Sequence, residues 1–188
     1  AVGGWSFGGG GRIAKTLNQN RTTLVNSVVE MIQAYDLDGI DWDIEYPGTR
    51  HMPDGNDGRE LCPTDPASLP SDMNAAQFQS QCGGLTITQM VRDFNSLLAE
   101  TRTALDGIGS SGSCRGHCAQ TIAVHMGPSP SVINKLDMYD PKMNDHGANT
   151  DWSTVLDYVG LMTYDGTGNF DPFCTAGQSA LLNDDNTC

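Results

Sequence analysis

An α/β domain with a parallel sheet is expected of this chain, because strand-like and helix-like stretches alternate along it and because its most acidic segment reads as a buried strand. That segment is Asp38-Gly39-Ile40-Asp41-Trp42-Asp43-Ile44-Glu45-Tyr46-Pro47-Gly48. It puts four carboxylates into eight residues, and three of them, Asp41, Asp43 and Glu45, stand at spacing two. Side chains alternate between the faces of a strand, so these three share one side, with neighbours roughly 6–7 Å apart. Ile40, Trp42 and Ile44 share the other side and need an apolar home, which a solvated acidic edge would not supply. A buried carboxylate is costly unless paired or hydrogen-bonded, and a row of three is harder still to maintain.

The remaining elements follow in order. Residues 1–5 read as the end of a strand and residues 7–11 as a glycine-rich loop. That loop lacks the Lys-Ser/Thr ending of a phosphate cradle and the downstream context of a dinucleotide fingerprint, which leaves close backbone approach to a sugar or plain loop flexibility. Leu24, Val25, Val28, Val29, Ile32 and Tyr35 predict a helix over 22–35, and 36–39 turn the chain into the acidic strand. Residues 48–84 show no periodicity and are rich in Pro, Gly, Asp and Asn. A structureless loop of that length in a compact domain is functional or disordered. Met90, Val91, Phe94, Leu97 and Leu98 predict a helix over 88–105 with Thr88 as its N-cap. Thr121-Ile122-Ala123-Val124-His125 reads as a short strand, broken by Met126-Gly127-Pro128, with His125 as a rim residue. Residues 129–136 suggest a short helix and 139–149 a polar loop. Residues 152–158 lead into a last strand, with Trp152 read as packing. The tail after Asp165 is Gly-, Asn- and Asp-rich, with no clear element.

Length and charge narrow the class. At 188 residues the chain suits one domain. A net charge of −13 argues against nucleic acid and against anionic membranes as partners. It suits a protein handling a neutral polymer. No run of 18 apolar residues marks a membrane span. The six cysteines, Cys62, Cys82, Cys114, Cys118, Cys174 and Cys188, are even in number and stand in loop-like contexts, which favours disulfides and an oxidising, extracellular compartment. Proximity pairs Cys62 with Cys82, Cys114 with Cys118 and Cys174 with Cys188. Zinc is the competing reading, but Cys114-x-x-x-Cys118 with His117 between has no second pair at suitable spacing. No metal and no cofactor is expected. Asn20-Arg21-Thr22 is an N-glycosylation sequon, in keeping with secretion.

The acidic segment also carries a resemblance. Asp38-x-x-Asp41-x-Asp43-x-Glu45 resembles the DxxDxDxE signature of glycoside hydrolase family 18, the chitinases and their relatives. Ala1-Val2-Gly3-Gly4-Trp5 resembles that family's SxGG-type third strand, with Ala1 where the pattern has Ser, and Met162-Thr163-Tyr164-Asp165 resembles its MxYD sixth strand. The three occur in the family's order. The resemblance implies a (β/α)8 TIM barrel, with residues 1–188 as the central part of one catalytic barrel, strands three to six, and with residues 48–84 as a Cys-containing insertion. Such a barrel runs to about 250 residues. A four-stranded part-barrel exposes long edges and apolar surface, so a fragment is expected, with the other strands supplied by the rest of the polypeptide or another chain. The insertion follows the acidic strand and so falls at the end of the barrel where active sites lie. There it is a disulfide-pinned wall of the substrate cleft or a tolerated surface insertion.

Glycoside hydrolysis needs an acid for the departing oxygen and a nucleophile at the sugar carbon. Glu45, last in the row, is the expected general acid. An ionised Asp43 beside it would hold its proton on, and Asp41 and Asp43 can share a proton, so the trio titrates as a set. No second carboxylate stands out as a covalent nucleophile. The resemblance implies that the substrate's own 2-acetamido oxygen attacks instead. Asp43 then holds the acetamido N–H, Tyr164 donates to the acetamido oxygen, and Asp165 contacts the sugar or that network. Trp5, Met162 and Tyr46 line the pocket, while Gly3, Gly4 and Asp38 are structural. Ala1 removes a hydroxyl that would support the carboxylate row. The expected substrates are chitin or N-acetylglucosamine oligosaccharides. Alternatives are a catalytically silent chitin-binding lectin, an endo-β-N-acetylglucosaminidase acting on N-glycans, and a divalent-metal enzyme using the three carboxylates as ligands. The last lacks a Lys clamp and a phosphate loop.

Overall fold

The computed structural model describes residues 1–4, 10–44, 48–51, 61–125 and 151–162, without the side chains of 10–12 and 125. Its described strands form one parallel sheet in chain order: β1 (Val2–Gly3), β2 (Gly39–Asp43), β3 (Ala119–His125) and β4 (Tyr158–Met162). Between β1 and β2 run α1 (Gly10–Gln19) and α2 (Arg21–Tyr35). Between β2 and β3 run α3 (Ala75–Cys82), α4 (Ile87–Ser110) and a 3-10 turn (Ser113–Gly116). A four-residue helix, α5 (Trp152–Val155), precedes β4. Parallel neighbours joined through helices are the repeating unit of a β/α barrel, and this sheet is one arc of it.

The helix expected over 22–35 is α2. It buries Val25, Val28 and Ile32 at helical spacing and ends at Asp36, whose backbone is left-handed (φ 50°). Three expectations need correction. Residues 10 and 11, assigned to a glycine-rich loop, open α1, which buries Ala14 and Leu17. The long helix starts at Ile87 rather than Thr88 and continues to Ser110. Thr86 is its cap: the Thr86 side chain accepts from the Gln89 N–H, and the Gln89 side chain accepts from the Thr86 N–H. Finally, the stretch over 48–84 is not without regular structure, because α3 lies within it.

Helix α3 is short, and an isolated helix of that length would not persist in water. It holds because Asn74 and Gln77 form a capping box, Gly83 (φ 63°) closes its end, and Cys82 is bonded to Cys62. Cys62, Met73 and Cys82 make a small apolar cluster with Ala14 of α1 and Met90 of α4. Arg50, 5 % exposed, ties the two arms of the excursion by donating to the Leu61 carbonyl (3.1 Å) and pairing with Asp72 (2.6 Å). The described part of the excursion therefore leans on the helix layer. Cys114 is bonded to Cys118, which excludes zinc at this pair; Cys174 and Cys188 lie outside the described residues, as do 129–136 and 139–149.

The main core lies between the sheet and α2, α4 and α5, and includes Ile40, Trp42 and Ile44 from β2, Ile122 and Val124 from β3, and Phe94, Leu97 and Leu98 from α4. Trp152 is buried there, edge-on to Phe94, with its indole N–H donating to Asn95 (2.6 Å), so it is packing. Gln120 is fully buried on β3. Its amide NH2 donates to the carbonyls of Leu98 (2.9 Å) and Val155 (2.8 Å), and its oxygen accepts from the Trp42 indole (3.3 Å). One polar side chain thus joins β2, α4 and α5.

Where β4 begins, Asp157 accepts from the Gln120 N–H (2.8 Å) and bonds to Arg102 (3.2 Å) and His117 (2.7 Å). Burial alone would raise its carboxyl, but the Gln120, His117 and Arg102 contacts outweigh burial and hold it below the ordinary carboxylate value. A carboxyl depressed in the folded state adds stability above its unfolded value near pH 4, and that stability is lost as pH falls through the folded value. Asp157→Asn is therefore expected to lower the Tm of the intact protein at pH 7 by roughly 2–4 °C. The gap should close as the solution is acidified below about pH 4. Equal gaps at neutral and acid pH would show that the charge is not responsible.

Candidate active site

The alternation expected of the acidic strand is what β2 adopts. Ile40, Trp42 and Ile44 are 5 %, 0 % and 1 % exposed and enter the core, whereas Asp41 and Asp43 are only partly buried and face the other way. Asp38 is exposed at the foot of the strand, where its carbonyl accepts from the Ala119 N–H (2.9 Å).

Two glycines let the flanking strands close on β2. A Cβ on Gly39 (φ 152°) would fall 2.0 Å from the Ala119 carbonyl oxygen, and one on Gly3 (φ 121°) would fall 1.9 Å from that of Asp43. Only residues without a side chain fit such approaches. Gly4 follows, its N–H donating to the Asp43 carbonyl (2.6 Å), and a Cβ there would lie 3.7 Å from Asp43 Oδ2. The glycine pair thus brings the β1 backbone against the Asp43 carboxyl.

The register places Gly3 beside Asp43 and Thr121 beside Asp41. It sets Ala123 beside Gly160 and His125 beside Met162, so Met162, buried at 7 %, shares the carboxylate face of the sheet. Gly3 and Thr121 flank the acids on this face. The Asp43 carboxyl is pushed up, first by burial and then by the charge of Asp41. Its Oδ1 is buried and has no hydrogen-bond partner among the described residues. A carboxyl that holds its proton more readily than usual, with one oxygen left without a partner among the described residues and a second carboxyl beside it, is equipped to meet a polar ligand group.

One participant escaped the sequence reading. The Thr121 hydroxyl donates to Asp41 Oδ1 at 2.5 Å, across 80 residues of chain. Parity offered a signal: on a strand pairing with β2, one residue in two faces the acids. Glu45, Tyr46, Trp5, Tyr164 and Asp165 lie outside the described residues. No group of three or more His, Cys, Asp or Glu suited to a metal ion occurs among the described residues, and none of their helices is long and apolar enough to cross a membrane.

Comparison with known proteins adds two findings. The family model of the glycosyl hydrolases family 18 matches residues 1–187. Among solved structures, the chain is similar to the chitinase ChiW of Paenibacillus sp. str. FPU-7, a bacterial cell-surface-expressed multi-modular enzyme, with a TM-score of 0.56 and 22 % identity. That match covers 98 % of this chain and 16 % of the larger protein.

Proposed function

Since this chain belongs to glycosyl hydrolase family 18, whose fold is the (β/α)8 barrel, we propose that it is the central part of a chitinase barrel that cleaves β-1,4 links between N-acetylglucosamine units with retention of configuration. The observation that carries the reading is the acidic row, with Asp41 and Asp43 side by side on the sheet face away from the core. Glu45 protonates the departing oxygen. The substrate's acetamido oxygen attacks the anomeric carbon from the opposite side, and the resulting ring is opened by water, which gives net retention. Asp43, whose carboxyl is pushed up and whose Oδ1 has no partner among the described residues, accepts from the acetamido N–H and orients that group toward the reacting carbon. Asp41 supplies the neighbouring charge. Tyr164 donates to the acetamido oxygen and Asp165 contacts the sugar; Trp5, Tyr46 and Met162 form the walls. Gly3 and Gly4 let the β1 backbone lie against Asp43, and Asp38 starts the strand. The disulfides Cys62–Cys82 and Cys114–Cys118 support secretion, and the exposed Asn20 between α1 and α2 is a glycosylation acceptor in that setting.

The test is the stereochemistry and the N-acetyl requirement of turnover. Incubated with an N-acetylglucosamine oligosaccharide and followed by proton NMR, the intact protein is expected to release the β-anomer first. It should ignore the fully deacetylated oligomer and keep its rate in excess EDTA. First release of the α-anomer, or equal turnover of the deacetylated oligomer, would refute the mechanism. Binding without turnover would establish the lectin instead, and loss of activity in EDTA a metal enzyme.

A further inference from the structure

We propose that Thr121 is a positioning residue for the carboxylate pair, giving Asp41 from β3 the hydroxyl support that an alanine at position 1 cannot give from β1. The proposal rests on the reading of Asp41 and Asp43 as part of the hydrolytic machinery.

Strand β2 lies between β1 and β3, so Asp41 has a neighbour on each flank. On one side the pairs are Val2 with Trp42 and Gly3 with Asp43, which puts Ala1, one step earlier, level with Asp41. Ala1 offers only a methyl group. On the other side Asp41 is paired with Thr121, whose hydroxyl donates to Asp41 Oδ1 at 2.5 Å. That length falls in the range of hydroxyl-to-carboxylate bonds strengthened by charge.

Among the β3 residues whose side chains are described, no other is as well placed. Gln120 faces the core and is bonded to Trp42, Leu98 and Val155, and Ile122 is buried in the core. Ala123 shares the carboxylate face but has no polar atom. The branched Cβ of threonine restricts χ1 on a strand, so the hydroxyl is held in place at little entropic cost. Anchored by one oxygen, Asp41 is held in place beside Asp43, whose own Oδ1 has no partner among the described residues. Thr121 therefore acts on Asp43 through Asp41.

Asp43 stands two residues on along β2, and His125 ends β3 four residues beyond Thr121. The helices pack against the opposite face of β2.

The experiment uses three variants of the intact protein: Thr121→Val, Thr121→Ser, and Thr121→Val combined with Ala1→Ser. Two readouts are taken. One is the pH profile of kcat and KM on an N-acetylglucosamine oligosaccharide; the other is the titration of the Asp43 side chain followed by carboxyl carbon NMR. Thr121→Val is nearly isosteric and is expected to lower kcat about tenfold with little change in KM. It should displace the acid limb of the profile and move the Asp43 titration downward. Thr121→Ser should keep wild-type behaviour in both readouts. Ala1→Ser should restore a large part of what Thr121→Val loses, because it returns a hydroxyl from the opposite flank. The proposal is overturned if Thr121→Val leaves the Asp43 titration unmoved, if the serine variant is as impaired as the valine variant, or if Ala1→Ser restores nothing. The titration needs no turnover, so it decides the proposal even in a protein that hydrolyses nothing. Failure of the hydrolase reading shows instead as an inert wild type.

Discussion

Glu45→Gln is expected to lower kcat on chitin oligosaccharides by a factor on the order of 10²–10⁴ while leaving their binding nearly intact. Glutamine keeps the size of the side chain and can still hydrogen-bond to the glycosidic oxygen. It has no proton acidic enough to give that oxygen as the bond to carbon breaks. The lost interaction belongs to the transition state, so kcat and kcat/KM fall together and KM stays close to its original value. The size of the loss reports how far the reaction leans on protonation of the leaving group. An aryl glycoside, whose leaving group departs without a proton, should suffer much less. The intact protein is the material for this measurement, because the described strands make only one arc of a barrel. A Glu45→Gln protein within tenfold of wild type on the natural oligosaccharide would show that position 45 is not the acid.

Trp42→Ala is expected to cost about 3–5 kcal/mol through the cavity it opens. Removing the indole N–H also strips the Gln120 side-chain oxygen of the Trp42 bond inside the core, at about 1–3 kcal/mol for a buried acceptor without a partner. Domains of ordinary size have about 5–15 kcal/mol to lose, so the variant should be unfolded or close to it at physiological temperature. Trp42→Phe separates the two causes: it refills most of the volume and forfeits only the polar contact, so it should cost markedly less. Denaturant unfolding of the intact protein reads both values. If Trp42→Ala stays within about 1 kcal/mol of wild type, in the range of surface substitutions, the indole does not fill the core as described.

The acidic strand was legible because two signals agreed residue by residue. Carboxylates at odd positions and large apolar groups at even ones fit only a strand with one face in the core, and β2 has that form. Helix α2 was legible for the same kind of reason, an apolar stripe at a single period. Cys62–Cys82 and Cys114–Cys118 followed from closeness along the chain. What was missed depends on partners distant in sequence. Helix α1 opens with two glycines and has few apolar residues; Ala14 and Leu17 gain their burial from neighbouring elements. Helix α3 owes its existence to a disulfide and to two caps. The Thr86–Gln89 capping box was present in the sequence and overlooked in favour of Thr88. Gln120 looks like a solvent-facing strand residue until its three partners on three elements are known. Thr121 acquires its role only from the register between strands 80 residues apart. The spacing of the acids identified a strand with its carboxylates on one face, but the hydroxyl bonded to Asp41 could be found only in three dimensions.

The close approach of Gly39 to the Ala119 carbonyl has a consequence for how this segment tolerates changes of length. It clamps the start of β2 at one point on β3, so an inserted or deleted residue between Gly39 and Asp41 cannot be absorbed by sliding the strand. Such a change would invert the strand's two sides, turning the indole outward and driving the acids among the leucines of α4. Divergence by single-codon gain or loss should therefore be barred inside this short span. The excursion after Gly48, anchored by its own sulfur bridge and its own small cluster, has far more room to lengthen or shrink.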